Sequence, residues 1–302
     1  MTMDSDAVKE LCRRAGAIAV GIAAVEPVDD ESADSFDRWL ASGANADMRY
    51  LENYGDIRRN PVLLMPGAKT VICCAFAYTS PEYPRSALFA DYSLGDDYHV
   101  VLREALTPVA EALGGSTRIC IDTAPIRERY WAVRSGIGFV GLNNQLIVPG
   151  VGAGVFLAEI LWDGEAAADR PLEMTCGSCG ACVKACPGHA LDGKGALDAR
   201  RCLSYLTIEH RGDFPPCSPR PQGRIYGCDI CRDVCPLGRP QSSVYVLPSL
   251  RPRPEVLSLS RTDIAAMDQE TFSRVFRRSA VKRAKLSGLL RNAMTEHPDD
   301  DN

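Results

Sequence analysis

Two runs of cysteines constrain this chain more than any other feature. The first run begins at Cys176 and has the spacing C-x2-C-x2-C-x3-C-P. The second run begins at Cys228, has the spacing C-x2-C-x3-C-P, and is one cysteine shorter. Nine of the 13 cysteines fall between residues 176 and 235. Cysteines this dense in one segment indicate metal or redox chemistry rather than a disulfide framework.

Length and composition predict an ordinary globular protein. The 302 residues are 46% hydrophobic and 24% charged, which is enough for a sizeable core in one or two domains. The formal net charge of -5 does not indicate a nucleic-acid binder as a whole. The acidic N-terminus lacks the pattern of a signal peptide, and the longest apolar run, residues 15–25, is about half of the roughly 20 residues that span a bilayer. We therefore expect a cytoplasmic protein with reduced cysteines.

The spacing of the first run is typical of bacterial ferredoxins that hold [4Fe–4S] clusters. Three cysteines two residues apart can wrap one corner of a cubane, while the fourth reaches the neighbouring cluster. The second run lacks one cysteine, and Cys202 lies between the runs, where it can supply the missing ligand. We therefore predict two clusters, one held by Cys176, Cys179, Cys182 and Cys235 and the other by Cys186, Cys202, Cys228 and Cys231.

Zinc and inert thiols are the competing interpretations. Structural zinc usually takes two separated C-x2-C pairs, whereas three such steps in series closed by Cys-Pro favour iron–sulfur. Cys217 lies in a proline-rich stretch and is predicted to be a free loop thiol, with a ligand or redox role as the alternative. The remaining cysteines lie in apolar segments and are predicted to be core residues: Cys12, Cys73, Cys74 and Cys120.

Three segments follow one another along the chain. Strand and helix patterns alternate through residues 1–170, which predicts an α/β (α+β) domain; the apolar run at 69–78 predicts a strand covered on both faces. Residues 171–240 form a ferredoxin-like module for two [4Fe–4S] clusters. Residues 241–302 are predicted to end in two helices, at 261–277 and 279–294. Two clusters pass electrons one at a time, so we expect the first domain to hold the acceptor.

Five sequence blocks spread over residues 45 to 292 carry a resemblance to a known family. The most specific is Arg200-Arg-Cys-Leu-Ser-Tyr-Leu-Thr-Ile-Glu209 beside the two-cluster cysteines. The other blocks begin at Met48 with Met65, at Leu94, at Asp122 and at Gly136. On these residues the chain resembles the epoxyqueuosine reductases, cobalamin-dependent enzymes of the last step of queuosine formation in tRNA. Their architecture is shared with reductive dehalogenases.

The resemblance implies a reaction and its partners. A cobalamin is expected in the first domain, close to the clusters, where an epoxide on a modified tRNA base is reduced to an alkene and its oxygen leaves as water. An external electron donor such as ferredoxin or flavodoxin is implied, and we expect a monomer. Two alternatives stay open: a relative acting on a different substrate, and a two-cluster electron-transfer protein without a substrate.

Asp122 is the predicted catalytic residue. It follows a short apolar strand, where partial burial would raise the pKa of its carboxyl and keep it protonated. In the family this aspartate is the proton donor, so the resemblance implies that role here. The alternative is that Asp122 caps the following helix with Pro125 in its first turn, and the two roles are not exclusive.

The resemblance also implies cofactor contacts beyond Asp122. The D-x-H-x-x-G signature of a histidine cobalt ligand is not met, because Leu102 stands where glycine is needed after Asp97 and His99. Tyr98 and His99 are expected to line the pocket, with a plain helix surface as the alternative for both. Arg211 would reach a corrin amide, with an RNA phosphate or solvated surface as the alternative, and Pro236 would lie between cluster and cofactor. The expected contacts are Arg58, Tyr98, Asn143, Arg211 and Pro236.

Two departures from the family pattern bear on the substrate. Leu142 stands where the family usually has lysine, and the chain ends before the helical-repeat domain that many members use to grip tRNA. Residues 273–292 nevertheless hold seven Arg or Lys and no acidic residue. Their spacing predicts one basic stripe on a helix, able to neutralise RNA phosphates, with a solvated helix face as the alternative. The stripe would comprise Arg274, Arg278, Lys282 and Lys285.

Overall fold

A four-stranded antiparallel sheet forms the centre of the first domain. The computed structural model describes residues 1–177 and 179–295. The sheet has the order β1-β2-β6-β3, and a separate hairpin pairs β4 with β5. The predicted α/β (α+β) class is confirmed, with every strand pair antiparallel. The strands are β1 (Ala19–Ala24), β2 (Thr70–Ala77), β3 (Thr117–Cys120), β4 (Phe139–Val140), β5 (Leu146–Ile147) and β6 (Val155–Trp162).

The central strand β2 is buried at every position, as its continuous apolar sequence predicts. Ile72 and Phe76 pack on one face of the sheet in one core, and Val71 packs on the other face in a second core with Trp131. The four cysteines outside the module are buried in these cores, which confirms their prediction. The sheet is therefore covered on both faces, and its ends are free to carry the functional residues.

Helices, joined by loops and turns, make up much of the described chain outside the sheet. Asp97 caps the helix at Tyr98 by accepting a hydrogen bond from the His99 N–H at 3.0 Å, so Tyr98 and His99 lie in its first turn. The helices are α1 (Ser5–Arg14), α2 (Asp30–Ala41), α3 (Gly55–Arg59), α4 (Tyr98–Leu113), α5 (Glu128–Arg134), α6 (Ala181–Ala185), α7 (Leu203–Ile208), α8 (Ile230–Asp233), α9 (Pro254–Leu257), α10 (Arg261–Ala265), α11 (Gln269–Val275) and α12 (Lys285–Met294). Short 3-10 turns lie at Arg49–Leu51, Pro61–Leu63, Asp91–Ser93, Ala199–Arg201, Pro248–Leu250 and Ala280–Ala284.

The prediction of two continuous C-terminal helices is wrong, because each of them is broken. The first is divided at residues 266–268, where the Asp268 side chain accepts from Thr271 N and starts α11. The second consists of a 3-10 turn followed by α12. Arg278 and Lys285 adopt φ angles of 52° and 60°, outside the helical range. The four basic residues thus do not share one helix, and the predicted stripe is not formed.

The three segments of the chain pack into a shared core. Phe89 of the first segment, Tyr226 of the second and Phe276 of the third lie in one buried cluster. The boundaries at 170 and 240 remain predictions, because packing crosses both of them. Among the described helices, none has the length and apolarity that a membrane span requires.

Candidate active site

A cavity of two chambers opens where the sheet faces the cysteine module. The inner chamber has a volume of about 310 Å³ and is lined by β6 and the β4–β5 hairpin, with Gln145 and Phe156 among its walls. The outer chamber, of about 740 Å³, extends towards α3, α7 and the 3-10 turn at Ala280–Ala284. Three residues line both chambers and mark where they meet: Tyr92, Tyr98 and Asp122.

Asp122 stands on the loop between β3 and α5 in a left-handed conformation, with φ of 52°. Its backbone N–H donates a hydrogen bond to Glu128 Oε1 at 2.5 Å, which ties the loop to the first turn of α5. That helix begins at Glu128 and is preceded by Arg127, so the alternative that Asp122 caps it is wrong. The Asp122 side chain is 57% exposed, and it faces the cavity.

Two side chains from the start of α4 hold the Asp122 carboxylate. The Tyr98 hydroxyl donates to Asp122 Oδ2 at 2.9 Å, and His99 Nε2 lies 3.1 Å from the same oxygen. The other imidazole nitrogen of His99 lies 2.8 Å from Asp97 Oδ1. The Tyr98 ring is stacked between Phe156 and His99, with centroid distances of 4.3 and 4.1 Å. Packing therefore fixes the hydroxyl that points at Asp122.

These contacts reverse the protonation expected for Asp122. Loss of solvent inside the cavity raises the pKa of the carboxyl, but the hydrogen bonds from His99 and Tyr98 outweigh it, and the pKa lies below its ordinary value. The same hydrogen bond to Asp122, and then the one to Asp97, raise the pKa of His99 to about 9. The expectation of a protonated Asp122 is wrong, and at neutral pH the proton lies on His99.

Glu128 is a second acidic group that the sequence did not single out. Burial, and then the negative charge of Asp122, raise the pKa of Glu128 to about 8, so this carboxyl is mostly protonated at pH 7. It lies six residues after Asp122, and the structure folds the loop so that the two meet. His99, expected either to line the pocket or to lie on a plain helix surface, lines the outer chamber and contacts Asp122.

The other predicted cofactor contacts fall into two groups. Arg58 is half-buried and lines the outer chamber, where its Nε donates to the Asn53 carbonyl oxygen at 3.2 Å. Asn143 is buried, and its Nδ2 lies 3.5 Å from the Cys231 carbonyl oxygen. Gln145, which we had not predicted, lines the inner chamber and places Nε2 3.9 Å from the Cys231 sulfur. The hairpin thus joins the cavity to the cysteine module.

Two predicted contacts lie away from the chambers. Arg211 turns to the chain itself, donating to the carbonyl oxygens of Ile208 and Arg283, each at 2.8 Å. Pro236 is exposed and, within the described parts of the chain, does not line either chamber. Leu142 is half-buried and is likewise outside the two linings.

Four cysteines of the module form an inner set. Burial raises the pKa of the Cys231 thiol, and the neighbouring thiols of Cys228, Cys202 and Cys186 raise it further. Burial also raises the pKa of Cys228 to about 11, again with Cys202 nearby. The Ala190 N–H donates to the Cys186 sulfur at 3.3 Å. These four side chains are the ones assigned to a common cluster by spacing.

The other set lies nearer the surface. Burial, and then the thiols of Cys235 and Cys176, raise the pKa of Cys182. Cys176 and Cys235 pack together against the apolar residues of the hairpin. Cys179 is exposed, next to the undescribed residue 178. The short helices α6 and α8, which carry Cys182 and Cys231, pack against each other and hold the two sets side by side.

Within residues 1–177 and 179–295, no three His, Cys, Asp or Glu side chains are arranged to hold a single metal ion. Thiolates bound to one zinc ion lie about 2.3 Å from it and therefore close to one another. A cube of four irons separates its ligands more widely. The pattern of cysteines along the chain, rather than the placement of their sulfur atoms, is what favours the clusters.

The fold and the site define a class: an iron–sulfur redox protein with two thiolate sets and a deep ligand cavity beside the inner one. Residues 175–238 match a family model described as a 4Fe-4S double cluster binding domain, which confirms the predicted two-cluster module. Residues 58–123 match a model described as epoxyqueuosine reductase QueG.

Similar proteins extend the match over nearly the whole chain. An epoxyqueuosine reductase of Cellulophaga algicola is 35% identical, over 95% of this chain and 96% of the relative. One of Leadbetterella byssophila is 36% identical over the same shares. A crystal structure of epoxyqueuosine reductase with an epoxyqueuosine-modified tRNA-Tyr stem loop is 30% identical, with a TM-score of 0.87 over 95% of this chain and 79% of that one. The chain belongs to the epoxyqueuosine reductase family.

Proposed function

We propose that this chain reduces epoxyqueuosine in tRNA to queuosine. The observation that carries the proposal is the position of Asp122, which stands with its proton-bearing neighbours at the junction of a two-chamber cavity beside the inner cysteine set. Epoxyqueuosine reductases match the chain over 95% of its length, and the structure of one of them contains an epoxyqueuosine-modified tRNA stem loop.

Two [4Fe–4S] clusters on the predicted cysteine sets and a cobalamin in the two chambers are the proposed cofactors. The Gln145 side chain supports the second assignment, because its Oε1 is buried and has no partner among the described residues, as suits a ligand rich in amide N–H groups. Arg58, Tyr98 and Gln145 would hold it. Both ring nitrogens of His99 are engaged, so this histidine is not free to bind cobalt. When bound, these groups supply the electrons that cleave the carbon–oxygen bonds.

The residues of the chain supply protons. Converting the epoxide to an alkene and water consumes two electrons and two protons. His99 stores one proton at Nε2, 3.1 Å from Asp122 Oδ2, and Asp122 passes it to the departing oxygen. The carboxyl of Glu128 carries the second proton, and it is held against the same loop by the hydrogen bond from the Asp122 backbone N–H. Asp122 is thus the proposed proton donor, fed by its neighbours.

The remaining partners follow from the same proposal. An external carrier such as ferredoxin or flavodoxin would deliver electrons at the outer set, where Cys179 reaches the surface. The protein would act as a monomer in the cytoplasm, where tRNA is modified. Leu142, in place of the lysine usual in the family, keeps a different substrate open as the second candidate.

The nucleosides of cellular tRNA test the proposal directly. tRNA from cells that lack this gene should be digested and separated by chromatography with mass detection. Epoxyqueuosine should accumulate at the expense of queuosine, and return of the gene should restore queuosine. Unchanged queuosine in the deletion strain would remove tRNA epoxyqueuosine as the substrate.

Asp122→Asn tests the proton donor. We expect turnover to fall by about 10²- to 10⁴-fold, because a positioned acid contributes that much and the amide cannot pass on a proton. Iron and sulfide content should stay at wild-type levels, since Asp122 is not a predicted cluster ligand, and cobalamin should remain bound, since Arg58, Tyr98 and Gln145 are unchanged. Asp30→Asn, an exposed carboxylate at the start of α2, is the matched control. Full activity of Asp122→Asn would refute the assignment.

A further inference from the structure

The mouth of the outer chamber carries two tyrosines that the proposed chemistry does not use. Tyr50 is 46% exposed and Tyr54 is 65% exposed, and both line the chamber. Tyr54 adopts φ of 60°, a left-handed conformation that is uncommon for a bulky side chain. Among the described residues, its ring stacks on no other aromatic ring and its hydroxyl makes no hydrogen bond. Strained conformations of this kind cluster at ligand sites, and Tyr54 lies at the rim of a cavity.

Basic side chains line the same chamber, and one of them lies beside Tyr50. Arg283 places its guanidinium 5.5 Å from the centre of the Tyr50 ring and pairs with Glu209 at 2.7 Å. Lys282 lines the same chamber, is exposed, and forms no ion pair with the part of the chain that the structure describes. Of the seven basic residues in 273–292, Lys282 and Arg283 line this chamber. Lys282 is therefore available to a phosphate at the edge of the cavity.

Exposed aromatic rings beside cations are the means by which proteins hold single-stranded nucleic acid. Unpaired bases stack on the rings, and the cations neutralise the backbone. A duplex offers no free base faces, whereas a tRNA loop does. The mouth of the chamber therefore suits the nucleotides that flank a base inserted into the cavity.

We propose that Tyr54 is the stacking platform for an unpaired nucleotide next to the modified base, and that Lys282 neutralises a phosphate of the same loop. This assignment rests on the proposed function and goes beyond it by naming the residues that grip the RNA. The nucleotide tail of the cofactor is the other molecule that could stack on Tyr54, and the experiment separates the two.

The test compares Tyr54→Ala, Tyr54→Phe and Tyr245→Ala in the cluster- and cobalamin-loaded enzyme. Tyr245 is the matched control, because it is 56% exposed and lies outside both linings. The dissociation constant is measured for an anticodon stem-loop RNA that carries epoxyqueuosine, at fixed salt. Tyr54→Ala should weaken binding about tenfold or more, since base–aromatic stacking contributes about 1–3 kcal/mol. Tyr54→Phe and Tyr245→Ala should stay within about twofold of the wild type.

Lys282→Gln provides a second measurement. The slope of log Kd against log salt concentration should become shallower by about one phosphate contact. A slope equal to that of the wild type would overturn the role of Lys282.

Three results would overturn the assignment of Tyr54. Wild-type RNA affinity in Tyr54→Ala would do so while leaving the proposed function in place. Loss of cobalamin from Tyr54→Ala would assign the ring to the cofactor instead. A wild-type enzyme that neither binds nor converts the stem loop would remove this proposal and the proposed function together.

Discussion

At the scale of single residues, Asp122, His99 and Glu128 form one group of interacting titratable side chains. Their pKa values are displaced in different directions, with Asp122 lowered and the two neighbours raised to about 9 and about 8. Close titratable groups with pKa values pushed apart are typical of acid–base sites. Because the groups interact, a change at one of them alters the proton affinity of the others.

His99→Gln should slow turnover at pH 7 by about 10- to 100-fold, because the proton stored beside Asp122 is lost. In the wild type the pKa of His99 is raised to about 9, so its proton is present below that pH and is lost as the pH rises through it. The wild-type rate should fall through this range, and the variant should lack the fall near pH 9. Single-turnover rates between pH 6 and 10 measure both. An unchanged step near pH 9 in His99→Gln would contradict the assignment.

Glu159 makes the stability of the fold depend on pH. This carboxyl is fully buried on β6, between Cys73 and Cys120 of the adjacent strands, and both its oxygens lack partners among the described residues. Burial, and then the charge of Glu128, raise the pKa of Glu159 well above its ordinary value. A raised folded-state pKa means that stability is fully present below the unfolded-state pKa, about 4.3, and is lost as the pH rises.

Glu159→Gln should therefore lose less stability than the wild type between pH 5 and pH 8. The amide is neutral throughout this range, so unfolding of the variant releases no proton at this position, and this contribution to the pH dependence of stability is absent. Thermal unfolding of anaerobic, cluster-loaded protein at both pH values measures the difference. Equal shifts of the melting temperature in the two proteins would contradict the prediction.

The sequence predicts the chemistry of the site better than its protonation. Cysteine ligands are readable because their spacing is set by short local segments, and Asp122 is readable from its motif. His99 lies 23 residues before Asp122. Only the packing of α4 against the end of β3 makes them partners. The direction of the Asp122 pKa shift depends on those partners, so burial inferred from the strand pattern gave the wrong sign.

At the scale of elements, short segments are positioned by polar contacts as much as by apolar faces. α12 is tied to the cysteine module by Asn292, which is fully buried and donates to the carbonyl oxygens of Thr207 and Ile225 at 2.8 and 2.7 Å. Arg291 adds a bond to the Leu206 carbonyl oxygen at 2.7 Å. The spacing of basic residues predicted a stripe here because periodicity cannot report the chain breaks at Arg278 and Lys285.

Asn292→Ala should lower the free energy of unfolding by about 2–4 kcal/mol, because two backbone carbonyl groups lose their donors in a buried site. The exposed Ser287→Ala, on the same helix, is the control and should change stability by less than about 0.5 kcal/mol. Denaturant unfolding under anaerobic conditions measures both. A cost for Asn292→Ala no larger than that of the control would show that α12 is held by apolar contacts alone.

At the scale of the whole molecule, the sheet and the cysteine module differ in what holds them together. The sheet has two apolar cores of its own, whereas α6 and α8 have five and four residues and are too short to be stable alone. The sequence predicts this contrast, because apolar runs dominate the strands of the sheet whereas cysteines dominate the module. It could not reveal that Phe89, Tyr226 and Phe276 close one core across all three segments, because contacts between distant segments leave no local pattern.

Anaerobic removal of iron should loosen the module before the sheet. Metal binding contributes directly to the stability of a module whose ligands otherwise lie exposed or repel one another. Limited proteolysis followed by mass spectrometry should place the first cuts within residues 171–240, while fragments spanning β1 to β6 survive. Loaded protein, with about eight irons per chain, is the control. First cuts inside the sheet would contradict this order.

The loop that bears Asp122 is held by the very groups that hand over protons. An imidazolium facing a carboxylate makes a charge-assisted contact, which weakens once the imidazole becomes neutral. In the proposed mechanism, each proton delivered from His99 therefore weakens one of the contacts that hold this loop, and we expect the loop to be more mobile after turnover than before it.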